Sequence, residues 1–485
     1  MRDWNDQNVV IVGAARQGIA LTRYLVQQGA QVTINDQKPL EEIQDALDQL
    51  HDLVDLGFKI NWVCGGHPLN LLDNLDVLCV SGGVPLNLPL IVDAEGRGIP
   101  VLNDSQIFMD VVPCKVVGIT GSAGKTTTTT LVGSIAQEAV KNQQSQLFEK
   151  NVWIGGNIGA PLISFVEDME RDDLAVMELS SFQLEIMDRS PELAVVLNLT
   201  PNHLDRHGSM QSYTDAKTRI LNYQAIDDIA ILNRDDPIAW SLKIKVQGNL
   251  QTFGLSELPP AQGGTFIWDD VIYKRVFETN SEPDQGNQEN KLAYATDSPI
   301  LSRDEIHLPG EHNLLNIMAA CTIASALNIP IESIRSGLKQ VRSIPHRLEF
   351  IRWWGGAQWY NDSIATTPER AMAAIHSFDE PIVLLAGGRD KKLPWYDFAD
   401  LVHKRVSHLI LFGEAKEKIT KALDMSVNEE FITTSCLDLQ EAVQVAAKII
   451  RPGDVVLLSP GGTSFDEFRD FEERGECFAK MVRDL

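Results

Sequence analysis

Short apolar runs that end in glycine or in polar clusters recur along the chain, and each is about as long as one buried strand. Between them lie segments with helical character, among them 19–28 and the alanine-rich 317–327. Strands that are apolar throughout are typical of parallel sheets with helices on both faces, so the pattern predicts an α/β fold. The predicted strands are 8–12, 31–35, 77–80, 116–119, 174–177, 194–198, 229–232, 358–360, 382–386, 409–412 and 455–458.

The strand-to-helix junction at 116–127 carries the strongest chemical signal. Glycines at 118, 121 and 124 precede Lys125 and Thr126, and a helical stretch runs on to Val140. Glycines let the backbone approach an anion, and the N–H groups of a helix N-terminus point at it. The pattern predicts an ATP site in which Lys125 reaches the terminal phosphates and Thr126 offers its hydroxyl to Mg²⁺. Ile119 stands where the common phosphate-binding loop has its first glycine.

The N-terminus has the layout of a dinucleotide-binding βαβ unit. A strand leads into the turn 13–18, a helix follows, and the second strand ends at Asp36. Ala15 replaces the second glycine of that turn, where the backbone would have to approach a pyrophosphate. We therefore regard this start as weak evidence for NAD, and a UDP-type ligand in the same crevice is at least as compatible.

Length and loop pattern predict three α/β domains, because 485 residues are too many for one core. Residues 1–103 read as a Rossmann-like domain, and 104–343 as a parallel sheet of the P-loop ATPase type. Residues 344–485 read as a second Rossmann-like domain, whose strands again end in polar loops.

Charge and cysteine content limit the possible partners and surroundings. A formal net charge of −25 argues against general nucleic-acid binding, which needs a basic face. Six scattered cysteines without a C-x-x-C pair indicate neither a disulfide framework nor a zinc site, and favour a reducing cytosol. The first residues show no signal-peptide core, and no apolar run is long enough to span a bilayer. We expect a cytoplasmic monomer without membrane insertion.

Polar residues follow three strands of the central region. Glu178, His203 and Lys217 lie in or between these clusters. Each alone has a plain structural explanation, as a strand-end carboxylate, a turn residue or an exposed helix lysine. Because Glu178 and His203 belong to the same α/β unit as the phosphate-binding loop, metal binding is the better interpretation of this pair.

The motifs together resemble those of the Mur ligases of peptidoglycan synthesis, and the resemblance covers nearly the whole chain. It rests on the glycine loop and on five further motifs, namely Glu-Leu-Ser-Ser-Phe-Gln from 178, Asn-His-Leu-Asp-Arg-His from 202, Gly-x-His-Asn from 310, Pro-His-Arg from 345 and Asn-Asp-Ser from 361. Within the family, the 345–349 motif and Phe471-Glu-x-Arg-Gly are most similar to the member that adds D-glutamate to UDP-N-acetylmuramoyl-L-alanine. The Asp-Asn-Pro-Arg and His-Pro-Thr-Glu signatures of two other members are absent.

The resemblance implies an ADP-forming ligase that consumes ATP and works through an acyl phosphate, with two Mg²⁺ ions. It implies catalytic roles for Lys125, Glu178, His203 and Lys217. Metal ligands would be Thr126, Glu178, His203 and Lys217 as a carbamate. ATP contacts would be Gly118, Thr120, Gly121, Ser122, Gly124, Lys125, Thr126, Thr127, Asn316, Arg347 and Asp362. The UDP substrate would contact Asp36, Lys38, Ser81, Asn157, Ser180 and Gln183, and D-glutamate would contact Thr366, Lys391, Ser464 and Phe471.

Several positions depart from the family pattern. Ala123 replaces an asparagine, while Ala15 and Gly82 replace a glycine and a proline. Ile364 replaces a lysine and removes a charge near the incoming amino acid or phosphate, which Lys391 or Lys392 would have to supply. The runner-up hypothesis is therefore a sister ligase, of the Mur or folylpolyglutamate type, with another amino acid or acceptor. A regulatory ATPase without ligation is the alternative from a different class.

Overall fold

The computed structural model describes residues 2–145, 147–157, 159–279, 293–306, 308, 310–341, 345–391, 393–426 and 432–485. The chain forms two compact units. The first comprises Met1–Ile306 with Glu311–Val341, and the second comprises His307–Gly310 with Arg342–Leu485. The described residues form three sheets, two in the first unit and one in the second, which confirms the predicted α/β class. The predicted division into three domains stays a prediction.

The first sheet has five parallel strands in the order β3-β2-β1-β4-β5. Its strands are β1 (Asn8–Val12), β2 (Gln31–Asp36), β3 (Ile60–Cys64), β4 (Val77–Val80) and β5 (Val101–Leu102). The helices of this part are α1 (Arg16–Gln27), α2 (Gln44–Asp55), α3 (Pro89–Gly96) and α4 (Asp104–Val111). The predicted strands 8–12, 31–35 and 77–80 are confirmed.

The second sheet has nine strands in the order β14-β13-β12-β11-β10-β9-β6-β8-β7. They are β6 (Lys115–Thr120), β7 (Val152–Gly156), β8 (Leu174–Glu178), β9 (Leu193–Val196), β10 (Ile229–Asn233), β11 (Asn249–Phe253), β12 (Gly263–Trp268), β13 (Val271–Thr279) and β14 (Ala293–Ser302). The helices are α5 (Lys125–Lys141), α6 (Ser181–Leu184), α7 (Leu204–His207), α8 (Met210–Asn222), α9 (Pro237–Ser241), α10 (Glu311–Ala326) and α11 (Ile331–Gln340).

This second sheet is parallel from β7 to β12 but ends in an antiparallel extension, β12-β13-β14, which the sequence reasoning did not predict. Asp269 and Asp270 both have positive φ and connect β12 to β13 in two residues. Such a turn matches the twist of a hairpin, so the chain reverses here instead of crossing over a helix.

The third sheet forms the second unit's framework, in the order β15-β16-β20-β17-β18-β19. The strands are β15 (Glu349–Trp354), β16 (Ala357–Asn361), β17 (Ile382–Gly387), β18 (Val406–Phe412), β19 (Thr433–Ser435) and β20 (Val455–Gly461). Its helices are α12 (Pro368–Ile375), α13 (Tyr396–Arg405), α14 (Lys416–Ser426), α15 (Leu439–Ile449) and α16 (Phe471–Asp484). All strand pairs are parallel except β15-β16.

Both faces of the third sheet are covered, which explains its continuous apolar strands. Leu384 and Leu457 belong to one buried cluster, whereas Leu385 and Leu458 belong to another. Successive strand residues point to opposite faces, so both faces must be apolar when both are buried. The polar loops at the strand ends are then the places left for chemistry.

Two further observations concern the whole described chain. All six cysteines are unpaired. Within the described residues, no helix combines the length and the apolar character needed to cross a membrane.

Candidate active site

The glycine loop joins β6, a central strand of the second sheet, to the start of α5. Gly124 caps the helix with φ +84°, a conformation that side chains with a Cβ rarely adopt. A Cβ on Gly124 would lie 2.2 Å from Asn316 Oδ1, so this position also lacks the room for one. The loop therefore packs closely against Asn316 of α10, which was predicted to contact ATP.

The loop is held in place by the end of the neighbouring strand β9. Ala123 N donates to Asn198 Oδ1 at 2.8 Å, and Asn198 Nδ2 donates to Ala123 O at 3.0 Å. Ser122 Oγ donates to Thr200 O at 2.9 Å and pairs with Tyr213 OH at 2.9 Å. Sequence reasoning gave Asn198 and Tyr213 no role. The sequence signal that could have identified Asn198 was its position at the end of the predicted strand 194–198.

Lys125 lies at the first position of α5, where backbone N–H groups have no partner within the helix. Its Nζ donates to Gly121 O at 2.9 Å, so the ammonium group lies against its own loop. Thr127, which was also predicted to contact ATP, has a fully buried side chain, and its role stays a prediction.

Glu178 brings together residues from three strand ends. Its Oε2 accepts from Thr126 Oγ1 at 2.8 Å, and its Oε1 accepts from Asn157 Nδ2 at 2.9 Å. The carboxylate is only 2% exposed. Parallel strands end at the same edge of a sheet, and this is why β8, the loop after β6 and the residue after β7 meet here.

Lys217 is buried, and not the exposed helix lysine that was the structural alternative. It is 1% exposed, and its Nζ donates to Thr120 Oγ1 and Gly121 O, both at 3.0 Å. Burial lowers the pKa of Lys217 well below its usual range, the charge of Lys125 lowers it further, and Glu178 opposes both effects. The amine is thereby biased towards its neutral form.

His203 has φ +53° and lies beside the motif that follows β8. Its ring meets Phe182 edge-on with centroids 5.1 Å apart, and Phe182 stacks on His207 at 5.3 Å. His207 Nε2 is 3.0 Å from Ser181 Oγ. These contacts join two of the predicted motifs through aromatic packing.

Five of the six residues predicted for the UDP substrate lie at two places, and the sixth, Asn157, is bonded to Glu178. In the first sheet, Asp36 Oδ2 accepts from Ala14 N at 2.8 Å and Ser81 Oγ donates to Gly13 O at 2.9 Å. Lys38 N donates to Asp36 Oδ1 at 2.9 Å. The side chains of Asp36 and Ser81 thus hold the 13–18 turn.

The second place is the start of α6, on the other sheet of the same unit. Ser180 and Gln183 form a capping box, in which Gln183 N donates to Ser180 Oγ at 3.2 Å. Asn103 Nδ2 donates to Gln183 O at 2.8 Å, which ties this helix to the segment after the first sheet.

In the second unit, Asp362 is buried behind the 345–348 turn. Its Oδ2 accepts from Ser459 Oγ at 2.8 Å, and its Oδ1 accepts from Leu348 N at 3.2 Å. Burial raises the pKa of Asp362 to about 7, against the effects of these bonds and of the charge of Arg347. Arg347 and Asp362, both predicted to contact ATP, are therefore close enough to interact.

Of the residues predicted for D-glutamate, Thr366, Lys391 and Ser464 lie on loops that follow strands of the third sheet. Lys391 Nζ is 3.5 Å from Thr366 Oγ1. Ser464 is 2% exposed, and Phe471 begins α16, where its carbonyl accepts from Ser363 Oγ at 2.8 Å. Lys392, the other candidate to replace the missing charge at Ile364, lies outside the described residues.

Three family models together match most of the chain. The Mur ligase MurD-like N-terminal domain matches residues 7–103, the Mur ligase middle domain matches 119–324, and the Mur ligase glutamate ligase domain matches 346–462.

Two full-length relatives with the same name illustrate the similarity. A protein of Symbiobacterium thermophilum named UDP-N-acetylmuramoylalanine–D-glutamate ligase is 37% identical over 480 residues, covering 99% of this chain and 98% of the relative. A protein of the same name from Acidobacterium capsulatum is 37% identical over 477 residues, covering 98% and 96%.

Solved structures show the same fold at low identity. UDP-N-acetylmuramate-alanine ligase from Thermotoga maritima superposes with a TM-score of 0.58 at 18% identity, covering 98% of this chain and 99% of that one. The MurF ligase of the same organism, in complex with ADP, has a TM-score of 0.52 at 17% identity and full coverage of both chains.

Proposed function

The chain belongs to the Mur ligase family, and from this premise we propose that it is an ATP-dependent, ADP-forming ligase that joins D-glutamate to UDP-N-acetylmuramoyl-L-alanine. The observation that carries the proposal is the 37% identity, over nearly the whole length of both chains, to relatives that bear the name of this activity. The activity is a step in the synthesis of peptidoglycan precursors.

The glycine loop supplies the ATP end of the proposed site. The reaction begins when the substrate carboxylate attacks the γ-phosphate of ATP, so two anions must be brought together. The backbone N–H groups at the start of α5 and the ammonium of Lys125 offset this repulsion. Asn198 forms hydrogen bonds with Ala123, and Asn316 lies against Gly124, so the loop that carries these donors is closely packed. We assign further ATP contacts to Arg347 and Asp362.

The oxygen donors of the set fit Mg²⁺, which prefers oxygen ligands and keeps several from phosphate and water, and the imidazole of His203 is the one nitrogen donor. We assign it to Thr126, Glu178 and His203, with Lys217 as a carbamate. No group of three or more His, Cys, Asp or Glu side chains in the described chain is placed to hold a metal ion. The Thr126 hydroxyl, the carbamate and the phosphates would therefore provide the other ligands. When bound, Mg²⁺ neutralises charge on the phosphates.

Lys217 has the surroundings that carbamate formation needs. Only a neutral amine reacts with CO₂, and the burial of Lys217 beside Lys125 favours the neutral amine. The carbamate would carry a negative charge, which turns the repulsion from Lys125 into attraction.

The second half of the reaction requires no protein nucleophile. Attack of the amino group of D-glutamate on the acyl phosphate forms the amide bond and releases phosphate. We assign the amino-acid contacts to Thr366, Lys391, Ser464 and Phe471, and the UDP-substrate contacts to Asp36, Lys38, Ser81, Asn157, Ser180 and Gln183. We further propose that the protein acts in the cytoplasm, as its six unpaired cysteines favour, and as a monomer.

Phosphate release by the purified protein tests the proposal. With UDP-N-acetylmuramoyl-L-alanine and ATP present, we expect release to depend on D-glutamate and to be far slower with L-glutamate. A sister ligase would respond to a different amino acid or acceptor, and a regulatory ATPase would release phosphate at the same rate with every amino acid. Equal rates of phosphate release with both enantiomers of glutamate, or no release with either, would contradict the proposal.

A further inference from the structure

Arg474 is a buried guanidinium in the first turn of α16 that the proposed chemistry leaves without a role. The residue is 0% exposed. Its Nε donates to Ser363 Oγ at 2.9 Å, and its Nη2 donates to Ser363 O at 2.8 Å. Ser363 Oγ in turn donates to Phe471 O at 2.8 Å, so the loop after β16 is bound to the start of the helix.

The other edge of the same guanidinium binds a second loop. Nη1 and Nη2 both donate to Gly462 O, each at 3.2 Å. A third loop packs against it, because a Cβ on Gly388 would lie 2.9 Å from Arg474 Nη1. One side chain therefore contacts the loops that follow β16, β20 and β17, which are adjacent parallel strands.

Each of these loops carries a residue of the proposed amino-acid subsite. Thr366 lies three positions after Ser363, Ser464 lies two after Gly462, and Lys391 lies three after Gly388. Parallel strands bring such loops to one edge of a sheet, but they leave the spacing between the loops to side chains. The planar fork of an arginine can bind several oxygens at fixed angles, which a lysine cannot do.

The free-energy cost of burying the charge of Arg474 indicates that this residue does more than fill space. All four bonds of Arg474 go to neutral oxygens, and no carboxylate of the described residues forms an ion pair with it. Burial lowers the pKa of Arg474 to about 10, opposed by the charges of Asp466 and Glu467, so the group stays charged at neutral pH. An apolar side chain would fill this space without the cost of burying a charge.

We propose that Arg474 is a positioning residue for the amino-acid subsite: it sets the spacing of the loops that carry Thr366 and Ser464, and it places a fixed positive charge beneath a site for a dicarboxylic amino acid. This inference rests on the proposed function. The inference predicts a selective effect on the amino acid. The side chain of Asp362, which is assigned to ATP, is held by Ser459 and Leu348 and not by Arg474.

A second buried arginine provides a matched control. Arg234 in the first unit donates to the carbonyl oxygens of Gly254 at 2.6 Å and Thr265 at 2.8 Å. Burial lowers its pKa to about 10 as well. It connects backbone segments of the second sheet and has no part in the proposed amino-acid subsite. A purely structural arginine is expected to behave like Arg234.

The test compares Arg474→Lys with Arg234→Lys in the full chain, with phosphate release measured while each of the three substrates is varied. Arg474→Lys keeps the positive charge but loses the planar guanidinium with its several hydrogen-bond donors. We expect KM for D-glutamate to rise about tenfold or more, while KM for ATP and for the UDP substrate stays within about twofold. Arg234→Lys should lower the melting temperature and leave all three KM values within about twofold.

Two results would overturn the inference: an unchanged KM for D-glutamate in Arg474→Lys, or a parallel rise in all three KM values. Should Arg474→Lys fail to fold, Ser363→Ala removes one acceptor of the fork and is expected to raise KM for D-glutamate about threefold, again without affecting ATP. An unchanged value there overturns the inference equally. Failure of the proposed function would be seen separately, as wild-type protein that releases no phosphate in response to D-glutamate.

Discussion

At the scale of single residues, burial decides the chemistry of side chains whose type alone is uninformative. Lys217 and Lys245 are both lysines of polar segments, yet Lys217 is 1% exposed and Lys245 is exposed. The pKa of Lys217 is lowered well below its usual range, chiefly because burial removes the hydration of its ammonium group. The role proposed for Lys217 therefore depends on its environment.

The carbamate proposal predicts a rescue experiment. Lys217→Ala should abolish turnover, because the proposed carbamate is lost, and small carboxylic acids such as acetate should partly restore it by occupying the vacated space. Steady-state phosphate release with and without acetate measures this. Lys245→Ala should have wild-type activity and no response to acetate. Full activity of Lys217→Ala without added acid would refute the carbamate.

The buried carboxyl of Asp362 predicts a pH dependence of stability. Its pKa is raised from 3.8 to about 7, so between these values the folded protein holds a proton that the unfolded chain has released. The stabilisation is complete below about pH 4 and is lost as the pH rises through 7. Relative to Asp362→Asn, wild type should lose about 2–3 kcal/mol of unfolding free energy between pH 5 and pH 8.

Urea unfolding of both proteins at the two pH values measures this difference. If the unfolding free energies of wild type and Asp362→Asn change by the same amount between the two pH values, the pKa of Asp362 is not raised in the folded state.

At the scale of elements, the proposed chemistry lies where parallel strands end and helices begin. The first turn of α5, the end of β8 and the residue after β7 contribute Thr126, Glu178 and Asn157 to one hydrogen-bonded group. The strands are buried and apolar, so their loops are where polar groups can be placed. Most strand positions were predictable for the same reason. The β13–β14 extension was not, because nothing in its pattern indicated reversal of the chain.

Gly124 offers a test of this strand–loop–helix element. Gly124→Ala should lower kcat/KM for ATP about tenfold or more, because the left-handed conformation costs about 1 kcal/mol with a Cβ and Asn316 must move. Gly96→Ala is the control, since Gly96 lies in helix α3 and a Cβ there would meet nothing within 4 Å. It should leave activity unchanged. Equal ATP kinetics in both variants would contradict the role of the loop.

At the scale of the whole molecule, each compact unit has a core of its own. Phe108 belongs to the large cluster of the first unit, and Phe478 belongs to a cluster of the second. Each ring is at most 1% exposed. Units with separate cores can unfold in separate steps, so the chain need not behave as a single two-state system.

This organisation predicts independent responses to core mutations. Phe108→Ala and Phe478→Ala should each destabilise their own unit by about 3–5 kcal/mol and leave the other unchanged. Hydrogen exchange followed by mass spectrometry in increasing urea reports the two units separately. A common loss of protection in both units, whichever residue is changed, would show that they unfold together.

Local sequence patterns were sufficient to predict the α/β class, most of the strands and the glycine loop. Strand periodicity and glycine–lysine spacing express backbone geometry within a few residues, and this geometry is much the same wherever the segment lies. The resemblance to a family added roles for residues such as Glu178 and Lys217. Which side chains meet was decided by folding, because Thr126 and Glu178, or Ser363 and Arg474, are distant in sequence and their contacts form only when strand ends converge. Burial is likewise a property of the folded chain, and it is the largest cause of the altered pKa values of Lys217 and Asp362. Folding also decided that Arg474 lies between three loops.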